Sequence, residues 1–213
     1  MLRFGVIALA ALVVLQDPTT TLPDSYKVQF ENDHVRVVRV HYDAGAKLPE
    51  HTHPAGTTVY VYLNDSEGVT FSHVGGSNRT VARPAVRAGA IRIASGPEEH
   101  HTAENPASTA SDFLRIQLKT ISGGNLRKRI PAGQPRANDN AISIDYNSDQ
   151  LVIQRFIIAP GKSIVAEVVP MASLWITMPS GDTRWNETAQ DETISNSSSA
   201  PLELIRLIVK KPQ

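Results

Sequence analysis

The sequence predicts an all-β protein made of two related β units, the second one trimmed. Three observations carry this. Short runs rich in Val, Ile and Thr are broken by Gly, Pro, Asn and Asp, the pattern of half-buried strands joined by turns. No stretch of ordinary length keeps the apolar period of an amphipathic helix. The third observation is an internal repeat. Residues 33–54 lie over 149–170 without a gap, with Asp33, Arg39, Gly45 and Pro54 on Asp149, Arg155, Gly161 and Pro170. Residues 105–119 lie over 196–210 in the same way, with Asn105, Ser108, Arg115 and Lys119 on Asn196, Ser199, Arg206 and Lys210. The offset is 116 residues in the first match and 91 in the second, so the second unit is 25 residues shorter in its middle. That is about one hairpin.

The elements follow in order. Residues 1–20 read as a signal peptide: Arg3 precedes an uncharged apolar run from Phe4 to Leu15. The run is shorter than the roughly 20 residues that span a bilayer. No small-residue cleavage site follows Leu15, which leaves an uncleaved anchor or an apolar arm as the alternatives. The expectation is export to the periplasm or the extracellular space, with no stable membrane span afterwards. A Pro- and Thr-rich connector covers 17–24. Strands are expected at 26–30, 34–42, 57–63, 69–74, 79–86, 91–94 and 112–120, giving a first unit over 26–120. The polar stretch 121–140, rich in Gly, Asn, Arg and Pro, reads as a linker, and 141–211 is the second unit.

Charge and composition remove several functions. Lys plus Arg and Asp plus Glu are 21 each among 213 residues, which leaves no overall basic footprint for nucleic acid or an anionic membrane. There is no cysteine, so disulfides, thiolate metal sites and a cysteine nucleophile are excluded. The serines at 197–199 lie in a turn without a recognisable triad, and no phosphate-binding glycine motif is present.

What remains is histidine. His51 and His53 are two apart and share one face of a strand, a platform for a divalent metal that needs both rings neutral. A pair of surface histidines on an edge strand is the plain alternative. His100 and His101 follow a later strand and turn, with Asn105 four residues beyond His101. His34, His41 and His73 are scattered and read as surface or hydrogen-bonded side chains.

Together these residues resemble the cupin motifs. Gly45, five residues, then His51-Thr52-His53 match the first; Gly89, then His101 and Asn105, match the second. The resemblance implies a jelly-roll β-barrel over the first unit and a degenerate cupin in the second. It implies a divalent metal (Fe, Mn, Ni, Zn or Cu) held by His51, His53 and His101, with Gly45 and Asn105 as turn or supporting residues, and a homodimer. The family's glutamate falls on Thr57, or on Thr58 with the longer spacing, and its closing glycine on Asn64. Strict spacing from Gly89 points to His100 and the His-to-Asn spacing to His101, so His100 is an alternative third ligand. Glu99, or Glu98, is an alternative carboxylate donor. Tyr60 and Tyr62 are placed to line the barrel mouth or to pack as β-favouring aromatics.

The aligned positions in the second unit are Glu167, Val169 and Glu192, which leave no triad. Three neutral imidazoles leave the full charge on the ion, so an anionic co-ligand or substrate is expected. Three-histidine cupins resemble dioxygenases, which implies metal-dependent oxidation of a small anionic metabolite. The alternative is a non-catalytic small-molecule binding or structural module of the cell envelope with a decayed metal site.

Overall fold

The computed structural model describes residues 17–75, 79–121, 126–133, 138–188 and 192–210. The first unit contains β1 (Tyr26–Glu31), β2 (Val35–Tyr42), β3 (Lys47–His53), β4 (Gly56–Tyr62), β5 (Thr70–His73), β6 (Thr80–Ala82), β7 (Ile91–Gly96), β8 (Glu99–Glu104), β9 (Ser111–Leu118) and β10 (Arg127–Ile130). Six strands form one sheet in the order β1-β2-β9-β4-β7-β10, and four form the opposing sheet, β3-β8-β5-β6. The second unit contains β11 (Ala141–Asn147), β12 (Leu151–Ile158), β13 (Ser163–Ala166), β14 (Ser173–Met178), β15 (Thr183–Asn186), β16 (Glu192–Ser195) and β17 (Leu202–Val209). Its sheets are β11-β12-β17-β14-β15 and β13-β16. Each unit is a jelly roll of a large and a small antiparallel sheet.

The repeat is structural. β12 begins and ends 116 residues after β2, and β17 begins and ends 91 after β9. Gly45 and Gly161 both have φ near +70°, the left-handed conformation that favours glycine. The buried Asn105 donates from Nδ2 to the carbonyls of Tyr42, Asp43 and Thr109. Asn196 repeats this on Ile158 and Ala200. The missing length is now located: the second unit passes from β14 to β15 directly, where the first inserts the β5–β6 hairpin.

The central strands of the large sheets are buried on both faces. In β2, Val38, Val40 and Tyr42 face the first barrel, while Val35 and Val37 face the second unit. The inter-unit cluster draws twelve buried residues from the first unit and eight from the second, against eight and five in the barrel interiors. The largest core therefore lies between the units. Arg39 bonds Asp112 and donates to the Ser180 carbonyl across the interface. Its repeat, Arg155, bonds Glu203 and donates to the Gly89 carbonyl. Each unit thus docks an arginine onto a turn of the other.

Two segments differ from the sequence expectation. The linker region 121–140 contains β10, which pairs with β7 and sends Ile130 into the inter-unit core. Its alternation was hidden by three successive cations, Arg127, Lys128 and Arg129. In the connector, Pro18–Thr21 form one helical turn capped by Asp17. Arg36 binds Asp17 at 2.7 Å, which ties the segment to β2. The apolar run 4–15 lies outside the described residues.

Candidate metal centre

The inner face of the four-stranded sheet gathers the histidines. His51 and His101 are direct cross-strand partners in β3 and β8, and His73 of β5 is opposite His101. Strand alternation puts His53 beside His51. One nitrogen from each of His51, His53 and His101 lies within 4.8 Å of the other two. All three side chains are buried, with 1 %, 6 % and 3 % exposure. No carboxylate belongs to the group.

The surroundings keep the rings neutral. Burial pushes His101 down to about 3 from its ordinary 6.5, with help from His51, His73 and Arg115. Burial and then Arg115 hold His53 well below the usual histidine range. His51 is lowered as well, chiefly by burial. The His51 tautomer follows from its neighbours. Its Nδ1 lies 2.8 Å from the Pro49 carbonyl, so Nδ1 carries the proton. Its Nε2 therefore accepts from the Tyr26 hydroxyl at 2.8 Å, and Tyr42 donates to Tyr26 at 2.5 Å. Both ring nitrogens of His101 are buried without a hydrogen-bond partner. A void of about 30 Å³ lies against His53 and His101, room for one water or one ion.

The other expected residues separate. His100 points away and bonds Glu50 at 2.6 Å. Glu99 is opposite His53 and lines the void, outside the nitrogen cluster. Of the two positions on which the family's glutamate falls, Thr57 faces away from the barrel interior. It shares a face with Val59 and Val61, and its hydroxyl bonds Ser95 at 2.8 Å. The interior residue is Thr58, in line with Tyr60 and Tyr62, because side chains alternate along β4. Tyr60 lines the cavity, while Tyr62 packs on Phe113. Asn105 and Gly45 hold the turn after β2, away from the imidazoles. In the second unit Glu167 is exposed and Glu192 binds Arg184 at 2.6 Å.

Several residues at the site escaped the sequence reading. His73 stands edge-on to His101, with ring centroids 5.4 Å apart. Tyr26 and Tyr42 hold His51. Arg83, Arg92 and Arg115 line the void opposite the histidines. The coincidence of Arg115 with Arg206 in the repeat was the available signal.

No protein-family model and no curated protein matches the sequence. Solved structures do. AerE from Microcystis aeruginosa superposes with a TM-score of 0.60 at 16 % identity, over 87 % of this chain and 97 % of that one. The Escherichia coli pirin YhhW, in complex with nickel(II), has a TM-score of 0.54 at 13 % identity, over 88 % and 91 %. A point mutant of Bacillus subtilis oxalate decarboxylase OxdC gives 0.54 at 12 %, over 91 % and 72 %. The chain folds as a two-unit cupin. Its first cupin unit carries the buried histidine cluster, and its second carries no His, Asp or Glu cluster of that kind among the described residues.

Proposed function

We propose that the first cupin unit binds one divalent metal through His51, His53 and His101 and acts on a small anionic metabolite. The observation that carries this is the pair of orphaned His101 nitrogens in a buried, neutral three-imidazole cluster. Burying unpaired polar atoms costs about 1–3 kcal/mol each, and a metal ion uses one of them. The donor set fits the group: neutral nitrogen donors suit Fe, Mn, Ni, Zn or Cu. Two proteins of this fold bear on it, the pirin complexed with nickel(II) and an oxalate decarboxylase with Mn(II) centres.

A bound ion would supply Lewis acidity and open positions for an anionic ligand. The chain's own residues do the rest. Pro49 fixes the His51 tautomer so that Nε2 faces the cluster. Tyr26 donates a hydrogen bond to that same nitrogen, and its hydroxyl, freed where Nε2 holds a metal, would donate to an oxygen of an arriving anion. Phe71 and the β5–β6 hairpin cover His101 and exclude water. Arg115, 6 % exposed, sets a positive potential that favours an anion. Export is part of the proposal and rests on the apolar run at 4–15; association as a homodimer rests on the resemblance alone.

The test is elemental analysis of the purified chain beside a His51→Ala, His53→Ala variant. Near one equivalent of a transition metal, lost in the variant, supports the reading. No metal and no uptake on reconstitution would leave a metal-free binding module, the second reading, which the Tyr26 bond to His51 Nε2 favours.

A further inference from the structure

The first cupin unit opens into a cavity of about 570 Å³. Seven Lys and Arg side chains line it, against the two carboxylates of Glu98 and Glu99. A third of all the basic side chains of a neutral protein thus converge on one space. The cavity shares Tyr60, His73, Arg83, Arg92, Glu99 and Arg115 with the void at the histidines.

The cations are ordered. In the large sheet, Tyr60 is the cross-strand partner of Arg92 on one side and Arg115 on the other. The Arg92 guanidinium lies 4.6 Å from the Tyr60 ring centre. Arg129 is opposite Arg92 and Arg127 opposite Ala94, so alternation puts both on the cavity side of β10. The side chains of Arg83, Arg92 and Arg115 make no hydrogen bond or ion pair with any described residue. Nε of Arg83 and of Arg115 is buried without a partner.

The second unit shows what a neutralised version looks like. Its row is Arg184, Trp175 and Arg206, at the positions of Arg92, Tyr60 and Arg115. Both guanidiniums lie over Trp175, at 5.8 and 4.9 Å. There Glu192, standing at the repeat position of His101, pairs with Arg184. The first unit has a histidine at that position, so no carboxylate among the described residues forms an ion pair with Arg92 or Arg115, although Glu99 lines the same space. A guanidinium held without a paired carboxylate in a cavity where cations outnumber carboxylates is set for an anion from outside.

We infer that the first cupin cavity takes a small compound with two anionic groups, one towards the histidines and the other on the Arg92–Tyr60–Arg115 row, with Arg127 and Arg129 drawing it in. This rests on the proposed reading of that unit as a site for an anionic metabolite, and it names the substrate class. A single carboxylate would satisfy one end and leave the other cations desolvated and unpaired.

Isothermal titration of the full chain, metal-free and metal-loaded, tests it with succinate, 2-phosphoglycolate and butyrate. At least one dianion is expected to bind about tenfold or more tightly than butyrate, a difference of about 1.4 kcal/mol. Arg92→Gln should abolish that preference, and Arg127→Ala with Arg129→Ala should lower dianion affinity several-fold and flatten its salt dependence. Arg184→Gln, in the second unit, should change neither. A preference for succinate over 2-phosphoglycolate identifies a dicarboxylate, and the reverse a phosphorylated acid. Equal binding of butyrate, no dianion binding at millimolar concentration, or an unchanged preference in Arg92→Gln overturns the inference. Metal content is measured on every sample. A dianion preference in protein that takes up no metal sinks the metal reading alone; metal uptake without the preference sinks this inference alone.

Discussion

His51 sits between two fixed partners, and its behaviour is set by them. The Pro49 carbonyl accepts a hydrogen bond from Nδ1–H and the Tyr26 hydroxyl donates to Nε2. Tyr26→Phe removes the second bond and strands the Tyr42 hydroxyl, which is also buried. A loss of about 1–3 kcal/mol in urea denaturation is expected, with metal content retained. His51→Ala should lose both. The three imidazoles also set a pH dependence in the metal-free chain. Each has a folded pKa below its ordinary 6.5. As pH falls, the unfolded chain takes up protons first. Stability is therefore complete above about 6.5 and declines below it, by up to about 1.4 kcal/mol per pH unit for each ring. For His101 the decline ends near 3, where the folded ring also protonates. A urea midpoint series from pH 7 to 4 should fall, and bound metal should oppose the fall; a flat series in the metal-free chain would contradict the burial. The triad was legible because two-residue spacing on a strand is a face. His73 and the arginines were not, because which strand lies beside β8 is a matter of topology.

At the scale of elements, the paired turns are the clearest product of the repeat. Asn105 and Asn196 are 0 % and 3 % exposed and bond equivalent carbonyls. Asn105→Ala and Asn196→Ala should each cost about 2–3 kcal/mol, since each leaves buried carbonyls unpaired. The Asn105 change should leave the metal stoichiometry intact, because the turn lies away from the imidazoles. The trimmed hairpin could be counted in the sequence but not placed there. The structure assigns it to β5–β6, which supplies Phe71 and His73 against His101. Its absence from the second unit accompanies the loss of the histidines. β10 escaped notice for a different reason. An edge strand with exposed cations has no apolar alternation to read, and only Ile130 packs inward. Thr57 shows the same limit: a motif count locates a residue in the chain, while the face it occupies depends on where β4 begins.

At the scale of the molecule, the two units share more core than either encloses. β2, β9, β12 and β17 read as near-continuous apolar runs because both of their faces are covered. Separate domains would have shown one polar face, so this packing was present in the composition of those strands. The expected consequence is unfolding as one cooperative unit. Arg155, 3 % exposed, bonds Asp145 and Glu203 and reaches the Gly89 carbonyl of the other unit. Removing it strands two carboxylates at the interface, so Arg155→Ala should cost about 3–5 kcal/mol. The protein carries its own probe of coupling. Both tryptophans, Trp175 and Trp185, are in the second unit, whereas the histidine cluster is in the first. Trp185 also stacks on His34 and Phe30 across the interface, at 5.4 and 6.2 Å. If the shared core makes unfolding all-or-none, a change confined to the first unit moves the tryptophan signal. In urea, His51→Ala should shift the tryptophan fluorescence midpoint by the same amount as the far-ultraviolet circular dichroism midpoint. A fluorescence transition left in place while circular dichroism splits into two would mean that the units unfold separately, and that the twenty residues between them pack without coupling them.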